Sequence, residues 1–310
     1  MRVIFCGNPE FALPSLEVIV SASYEVAAVI TSPDRPKGRG LKLSAPAVKQ
    51  KALELGLRVL QPSKLKEQGF LTEVESLNAE VMVVVAFRIL PPELFMLPSR
   101  GAFNLHASLL PRYRGAAPIN WAIINGETET GLTTFFLKRK VDTGDTILQR
   151  RVEIGEEETF GELSQRLSHL GAELVLDTLK LLQSGEVKTT TQDESMATRA
   201  PKIEKEHCRI DWSKKAEEVR NLIRGLSPLP GAYTHFRGKT LKLYRSQRSG
   251  DLQLSGRPGE VLLSSPKEGT AIACGKASLW LQELQLEGKR VITAQEFVRG
   301  YRVEVGEVLG

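Results

Sequence analysis

The sequence predicts an α/β chain in two parts: a doubly wound, mostly parallel sheet, then a small antiparallel barrel. Three observations predict it. The run "VMVVV" at residues 81–85 shows no polar alternation, so both faces of that strand must be buried, as in a parallel sheet covered by helices. Strand-like and helix-like segments alternate through the first half, which is the order of an open, Rossmann-like domain. After residue 207 several short strand-like runs are separated by Gly or Pro, the pattern of a small OB-like barrel.

The elements follow in order. "RVIFCG" is a short buried strand closed by a Gly turn. "PEFALPSLEVIVSA" has helical spacing, and Pro14 limits where the helix can begin. "YEVAAVITS" is the second strand, "APAVKQKALELGL" a helix ending near Gly56, "RVLQP" the third strand, "VMVVVAF" the fourth and "GAFNLHA" the fifth. "TTFFLKRKVDTGDTILQRRVEI" reads as two strands around a Gly turn. A long helix starts at Thr159, where Thr159 and Glu162 form a capping box. Residues 186–206 are polar and without sustained periodicity. They divide the chain into a catalytic domain at 1–189, a linker at 190–206 and a second domain at 207–310. The second domain opens with the helix "SKKAEEVRNLIRGL" and closes with the capped helix "TAQEFVRGY".

Composition narrows the function. The chain has 310 residues and is 41% hydrophobic, which suits two globular domains. No apolar run reaches membrane-spanning length, so no membrane is expected as a partner. The opening "MRVIFCGNPE" enters a strand at once, so no targeting segment is expected. Cys6, Cys208 and Cys274 are odd in number, far apart and lack metal-ligand spacing. They read as reduced thiols of a cytoplasmic protein. No Walker loop is present, and no GxGxxG follows the first strand, so neither a nucleoside triphosphate nor NAD is implied. The net charge of +5 is unevenly spread. Residues 207–310 hold 17 Lys and Arg against 11 Asp and Glu, and the rest of the chain has a net charge of −1. That asymmetry suits a polyanionic partner such as nucleic acid.

The stretch "FNLHASLLPRYRG" at 103–115 carries the chemistry. Two residues apart on a strand, Asn104 and His106 project to one face, while Phe103 and Leu105 face apolar packing. They stand at the carboxyl end of a parallel strand, where ligands bind in open α/β sheets. An Asn amide can hold a developing oxyanion, and a His can accept and return a proton near neutrality. The turn "SLLPRYRG" can present backbone groups to a flat ligand. "VDTGDT" places Asp142 before a Gly turn. A carboxylate there would orient His106 and favour its protonated form. Asp and Gly are also ordinary turn formers.

"NLHASLLPRYRGAAPI" followed by "VDTGD" resembles the folate-dependent formyltransferases, most closely those acting on a charged initiator tRNA. The resemblance runs along nearly the whole chain through "IFCGNPEFA", "TSPDRPKGRGLKL", the "DW" at Asp211 and "PLPGAYT". It implies transfer of the formyl group of 10-formyltetrahydrofolate to the α-amino group of methionyl initiator tRNA. By that resemblance Asn104, His106 and Asp142 are the catalytic trio, and Ser108, Leu109, Leu110 and Pro111 line the folate site. No metal is needed for the chemistry, and a monomer is the expected state. A formyltransferase or formyltetrahydrofolate hydrolase with another acceptor is the alternative. "AFRILPPELF", with Arg88, departs from the family's Gly-containing segment near the pterin, and Leu229 stands where Trp is common.

The basic segments fit a tRNA. The loop "SPDRPKGRGLKL" is long for an α/β connection and carries Arg35, Lys37, Arg39 and Lys42 against Asp34. The resemblance implies that it enters the acceptor end of the tRNA, with Arg39 foremost. In "KTLKLYR" Leu241 and Leu243 alternate with Lys242 and Tyr244, so one face packs inward and the other presents charge. Lys239, Lys242 and Arg245 are therefore expected on a phosphate backbone.

Overall fold

The computed structural model describes residues 1–37, 42–249 and 256–310. Its strands in chain order are β1 (Arg2–Gly7), β2 (Glu25–Ile30), β3 (Arg35–Lys37), β4 (Lys42–Ser44), β5 (Val59–Leu60), β6 (Val81–Val85), β7 (Ala102–His106), β8 (Glu129–Phe136), β9 (Thr146–Glu153), β10 (Ala232–Phe236), β11 (Lys239–Arg248), β12 (Val261–Ser265), β13 (Gly269–Ala273), β14 (Ser278–Leu286) and β15 (Ile292–Thr293). The α-helices are α1 (Leu13–Ser21), α2 (Ala47–Glu54), α3 (Gln68–Ser76), α4 (Pro92–Phe95), α5 (Pro118–Ile124), α6 (Phe160–Ser184), α7 (Ala216–Gly225) and α8 (Ala294–Tyr301). Among the described residues no helix is long and apolar enough to cross a membrane.

The chain divides into two compact units. The first comprises Met1–Gly115, Thr130–Val152 and Ser164–Ala200. The second comprises Ala116–Glu129, Glu153–Leu163 and Pro201–Gly310.

The first unit is built on a seven-stranded sheet of order β5-β2-β1-β6-β7-β8-β9. The pairs from β5 to β7 are parallel, and β7 pairs antiparallel with β8. The order reverses between β2 and β6 on either side of β1, the switch expected of a Rossmann-like sheet. Val81–Val85 are all buried, as the unbroken apolar run requires. Alternate residues of the sheet, among them Ile4, Ile30 and Met82, pack with Phe70, Val74 and Leu94 in one cluster. Val3, Phe5 and Val83 are buried just as completely with opposite parity. Each such side chain contributes about 1.5–3 kcal/mol of hydrophobic stabilisation. The capping box at Thr159, within a segment of the second unit, is present. The Thr159 amide donates to Glu162 Oε2 at 2.9 Å, and the Glu162 amide donates to Thr159 Oγ1 at 3.4 Å.

The polar run expected as a linker at 190–206 is not uniform, and its residues 190–200 cluster with the first unit. Thr190 exchanges two backbone hydrogen bonds with Thr146, at 2.8 and 2.9 Å, and a parallel bridge joins Arg199 to Arg114. A segment tied by its backbone needs no apolar periodicity, so its polar composition misleads.

The second unit carries a separate antiparallel sheet of order β10-β11-β14-β13-β12, with β15 on β14. Trp212, Ile223, Leu243, Leu284 and Phe297 lie in its core. The end strands β10 and β12 are not paired with each other among the described residues, so the sheet is open in its pairing. Thr293 caps α8 with a full capping box to Glu296.

Candidate functional site

The site begins at the carboxyl end of β7. Asn104 lies between Val84 of β6 and Phe135 of β8, and His106 opposite Thr133. Phe103 and Leu105 are buried on the other parity, so the alternation read from the sequence holds. The Asn104 carboxamide makes no side-chain hydrogen bond among the described residues, which leaves its N–H groups available.

His106 is 6% exposed. Its Nε2 lies 2.9 Å from the Tyr113 carbonyl oxygen. A carbonyl only accepts, so Nε2 carries a proton. Its Nδ1 is 3.9 Å from Asp142 Oδ2, within reach of charge attraction but too long for a hydrogen bond. Orientation of the ring therefore rests on Tyr113, and the Nδ1 edge keeps its hydrogen-bonding capacity. Phe135 closes one side edge-on, with ring centroids 6.5 Å apart.

Asp142 has φ +54°, and Tyr113 has φ +58°. Asp tolerates this left-handed region better than most residues, whereas Tyr seldom enters it. Asp142 Oδ2 accepts from the Gly115 amide at 2.9 Å. The turn after Asp142 requires glycine, because a Cβ on Gly144 would lie 1.6 Å from the Phe136 carbonyl oxygen.

Gln192 spans that turn. Its Nε2 donates to the Asp142 carbonyl at 3.0 Å and to the Gly144 carbonyl at 2.7 Å. Its Oε1 accepts from Arg114 Nε at 3.1 Å and Nη2 at 2.7 Å. The Arg114 fork also meets both Glu194 oxygens, at 3.0 and 2.8 Å. Hydrogen bonds from Arg114 hold the Glu194 carboxyl down at about 2. The backbone repeats the tie. The Arg114 amide donates to the Thr198 carbonyl, the Ala200 amide to the Arg114 carbonyl, and the Tyr113 amide to Thr198 Oγ1, all within 2.9 Å. Gly115 fits because it has no Cβ, which would stand 2.5 Å from the Ala200 carbonyl oxygen.

The run from Ser108 to Pro111 is cross-braced from β8 and β9. Ser108 is fully buried, and its hydroxyl donates to the Arg112 carbonyl at 2.6 Å. Thr133 Oγ1 donates to the Ser108 carbonyl at 2.7 Å and accepts from the Leu110 amide at 3.2 Å. Gln149 Nε2 donates to the Leu110 carbonyl at 2.7 Å. With these polar groups engaged, the run can act as a shaped wall more than as a set of free donors. Arg88 is tied to the backbone carbonyls of Pro62 and Ser63, at 2.5 and 3.3 Å, and lies over the Phe87 ring.

The basic residues are placed differently. Arg35, Lys37 and Lys42 belong to the hairpin β3–β4, with Arg35 paired to Ser44 and Lys37 to Lys42 in register. Arg39 lies outside the described residues. In the second unit Lys239 is exposed. Lys242 Nζ donates to the Pro230 carbonyl at 2.7 Å, and Arg245 is ion-paired with Glu162. Arg237 and Arg248, in the same basic segment, pair with Glu307 and Glu217. The stripe read as free charge is therefore partly neutralised within its own unit.

Sequence reasoning missed the Tyr113 carbonyl, the Gly115 amide, Thr133, Gln149 and Gln192. Backbone groups carry no signature of their own. A Gln in a polar run without periodicity looks like any solvated Gln. Among the described residues no group of three or more His, Cys, Asp or Glu is gathered to hold a metal.

Comparison with known proteins gives the context. Residues 1–179 match the family "Formyl transferase", and residues 202–302 match "Formyl transferase, C-terminal domain". The chain is 48% identical to the methionyl-tRNA formyltransferase of Geobacter sulfurreducens, over 100% of this chain and 97% of that protein. It is 48% identical to that of Chlorobium luteolum, over 99% of each. Among solved structures, HypX from Aquifex aeolicus in complex with tetrahydrofolic acid superposes with a TM-score of 0.67 at 20% identity, over 99% of this chain and 48% of that one. WlaRD, a sugar 3N-formyl transferase, gives 0.67 at 18% identity, over 94% and 99%. At these identities the two structures speak for the fold alone.

Proposed function

The chain belongs to the formyl transferase family through both of its matched regions, and from that premise we propose how its own residues serve the reaction. The enzyme transfers the formyl group of 10-formyltetrahydrofolate to the α-amino group of methionyl initiator tRNA, giving N-formylmethionyl-tRNA for translation initiation.

The observation that carries the residue assignment is the pairing of Asn104 and His106 on one face at the carboxyl end of β7, with Asp142 3.9 Å from the ring. The methionyl amine attacks the formyl carbon, and the carbonyl oxygen becomes an oxyanion. Asn104, with its carboxamide free, donates to that oxygen. A single such donor is worth roughly a hundred- to thousandfold in rate. The attacking nitrogen must lose a proton, and the departing folate nitrogen must gain one. His106 moves that proton at Nδ1, directly or through water, while Nε2 stays anchored on Tyr113. Asp142 stabilises the charge that the ring carries between the two transfers. Ser108, Leu109, Leu110 and Pro111 form the wall for the folate. The cysteines are not candidates for a nucleophile. Burial pushes the Cys6 and Cys208 thiols up, and the Cys274 thiol up to about 12, so all three stay protonated near neutrality.

The strands β3 and β4, with Arg35, Lys37 and Lys42, and the loop residue Arg39 of the sequence motif engage the acceptor end of the tRNA. The second unit, read as a small OB-like barrel, tracks phosphates with Lys239, Lys242 and Arg245. The ion pairs of Arg245 are surface pairs of small worth, so a phosphate can take the place of the carboxylate. We read the protein as a cytoplasmic monomer.

The test is an assay of the purified protein with 10-formyltetrahydrofolate and methionyl initiator tRNA, beside an amino sugar and buffer alone. Formyl should appear on the methionyl amine and depend on the aminoacyl group. Release to water, or transfer to the sugar alone, would overturn the assignment.

A further inference from the structure

Gln192 stands 50 residues along the chain from Asp142, in a run whose composition suggests a tether, yet it is 7% exposed. All of its hydrogen-bonding groups are aimed at two segments of the site. Two donations go to the carbonyls that flank the Asp142 turn, at 3.0 and 2.7 Å. Its oxygen takes the Arg114 fork. Arg114 in turn lies between Tyr113, whose carbonyl anchors His106, and Gly115, whose amide anchors the Asp142 carboxylate. One side chain thus bridges the two backbones that set the spacing of His106 and Asp142.

We propose that Gln192 is a positioning residue for formyl transfer: with Arg114 it clamps the Asp142 turn to the Tyr113–Gly115 segment and so fixes the His106–Asp142 separation. It touches neither substrate nor reacting atoms. A buried amide with four directed hydrogen bonds suits that task, because losing the donation at Gly144 takes a partner from a buried carbonyl. Glu194 holds the far side of the Arg114 fork in a bidentate pair, which restrains the guanidinium in the geometry that Gln192 needs. The inference rests on the catalytic reading of Asp142 given above.

Gln192→Glu is the first variant. It keeps an acceptor for Arg114 and deletes both donations to the turn. Arg114→Lys is the second. It keeps a cation near Glu194 and deletes the fork. Single-turnover rates at saturating substrate, KM values for both substrates and thermal midpoints are measured in the wild-type and Asp142→Asn backgrounds. Each variant should transfer formyl roughly tenfold to a hundredfold more slowly, the scale of an ångström's misplacement of a reacting group. KM for folate and for tRNA should stay near wild type. In the Asp142→Asn background Gln192→Glu should cost almost nothing further, since the side chain it positions no longer acts. A merely structural role would lower the rate by the same factor in both backgrounds, or raise both KM values with a fall in midpoint, and either result overturns the proposal. So does a fast Gln192→Glu enzyme when Asp142→Asn is slow. If Asp142→Asn itself transfers at the wild-type rate, the catalytic reading of Asp142 fails first, and the positioning role falls with it.

Discussion

The site around His106 and the basic segments around Lys239 are built on opposite physical terms. The first gathers buried polar groups from β7, the Tyr113–Gly115 turn, the Asp142 turn and the strap at 192–200. Its distances are fixed by backbone carbonyls and amides. The second is a row of exposed or half-exposed cations on β11 and its flanks, several of them spent on neighbouring carboxylates. Chemistry on a formyl carbon needs atoms held to fractions of an ångström. A phosphate backbone needs only charge in about the right place. The contrast teaches where a single substitution should be catastrophic and where it should be diluted.

The sharpest way to break the comparison is His106→Ala. Removing the ring deletes a positioned proton carrier, and single-turnover transfer should fall by roughly a hundred- to ten-thousandfold. The affinity for tRNA should be largely preserved, because the phosphate contacts are assigned to other residues. A near-normal rate would remove His106 from the mechanism and collapse the distinction between the regions.

Gly144→Ala comes next. The added Cβ would meet the Phe136 carbonyl oxygen at 1.6 Å, so the turn carrying Asp142 has to move. The rate should fall roughly tenfold or more, with a lowered thermal midpoint and unchanged salt dependence of tRNA binding. If the midpoint falls but the rate at saturating substrates does not, the Asp142 turn is structural only.

How much of this was legible beforehand follows from the same contrast. The central parallel strand β6 was legible because burial on both faces writes an unbroken apolar run, Val81–Val85. The pairing of Asn104 and His106 was legible because strand periodicity is two. Asp142 could be placed before a Gly turn, but its neighbours could not, since Gly115 and Tyr113 contribute backbone atoms that any residue type would offer. The strap at 192–200 looks like a linker in sequence. Polar residues that satisfy buried backbone groups have the same composition as polar residues in water. The basic segments were easy to count and hard to weigh. Charge is visible in sequence, but the partners of Arg245 and Arg248, Glu162 and Glu217, come from distant positions in the chain.

A gentler contrast comes from the double substitution of Lys239 and Arg245 by Ala. It should raise KM for tRNA severalfold at low salt and leave the single-turnover rate at saturation unchanged. The slope of log affinity against log salt should shrink by up to about one for each phosphate no longer neutralised. An unchanged slope would mean that these cations serve only the ion pairs of their own unit.

The smallest effect belongs to Glu194, the exposed end of the buried cluster. Its carboxyl is held at about 2 by hydrogen bonds from Arg114, against an ordinary value of 4.5. Between those values the unfolded chain holds a proton there and the folded chain does not, so stability rises with pH across that window. The contribution is complete above about pH 4.5 and fades as pH falls toward about 2. Glu194→Gln has no such term. Its urea midpoint should sit slightly below wild type near neutrality, and the two should converge as pH falls through 4 toward 3. Because the Glu194 carboxylate is exposed, the difference should be small and reduced by salt. The rate of transfer should drop only a few-fold, since Gln192 still engages Arg114 and the turn. A constant gap in midpoint down to pH 3 would show that the side chain's shape matters there and its charge does not, and the restraint on the Arg114 fork would then have to come from packing.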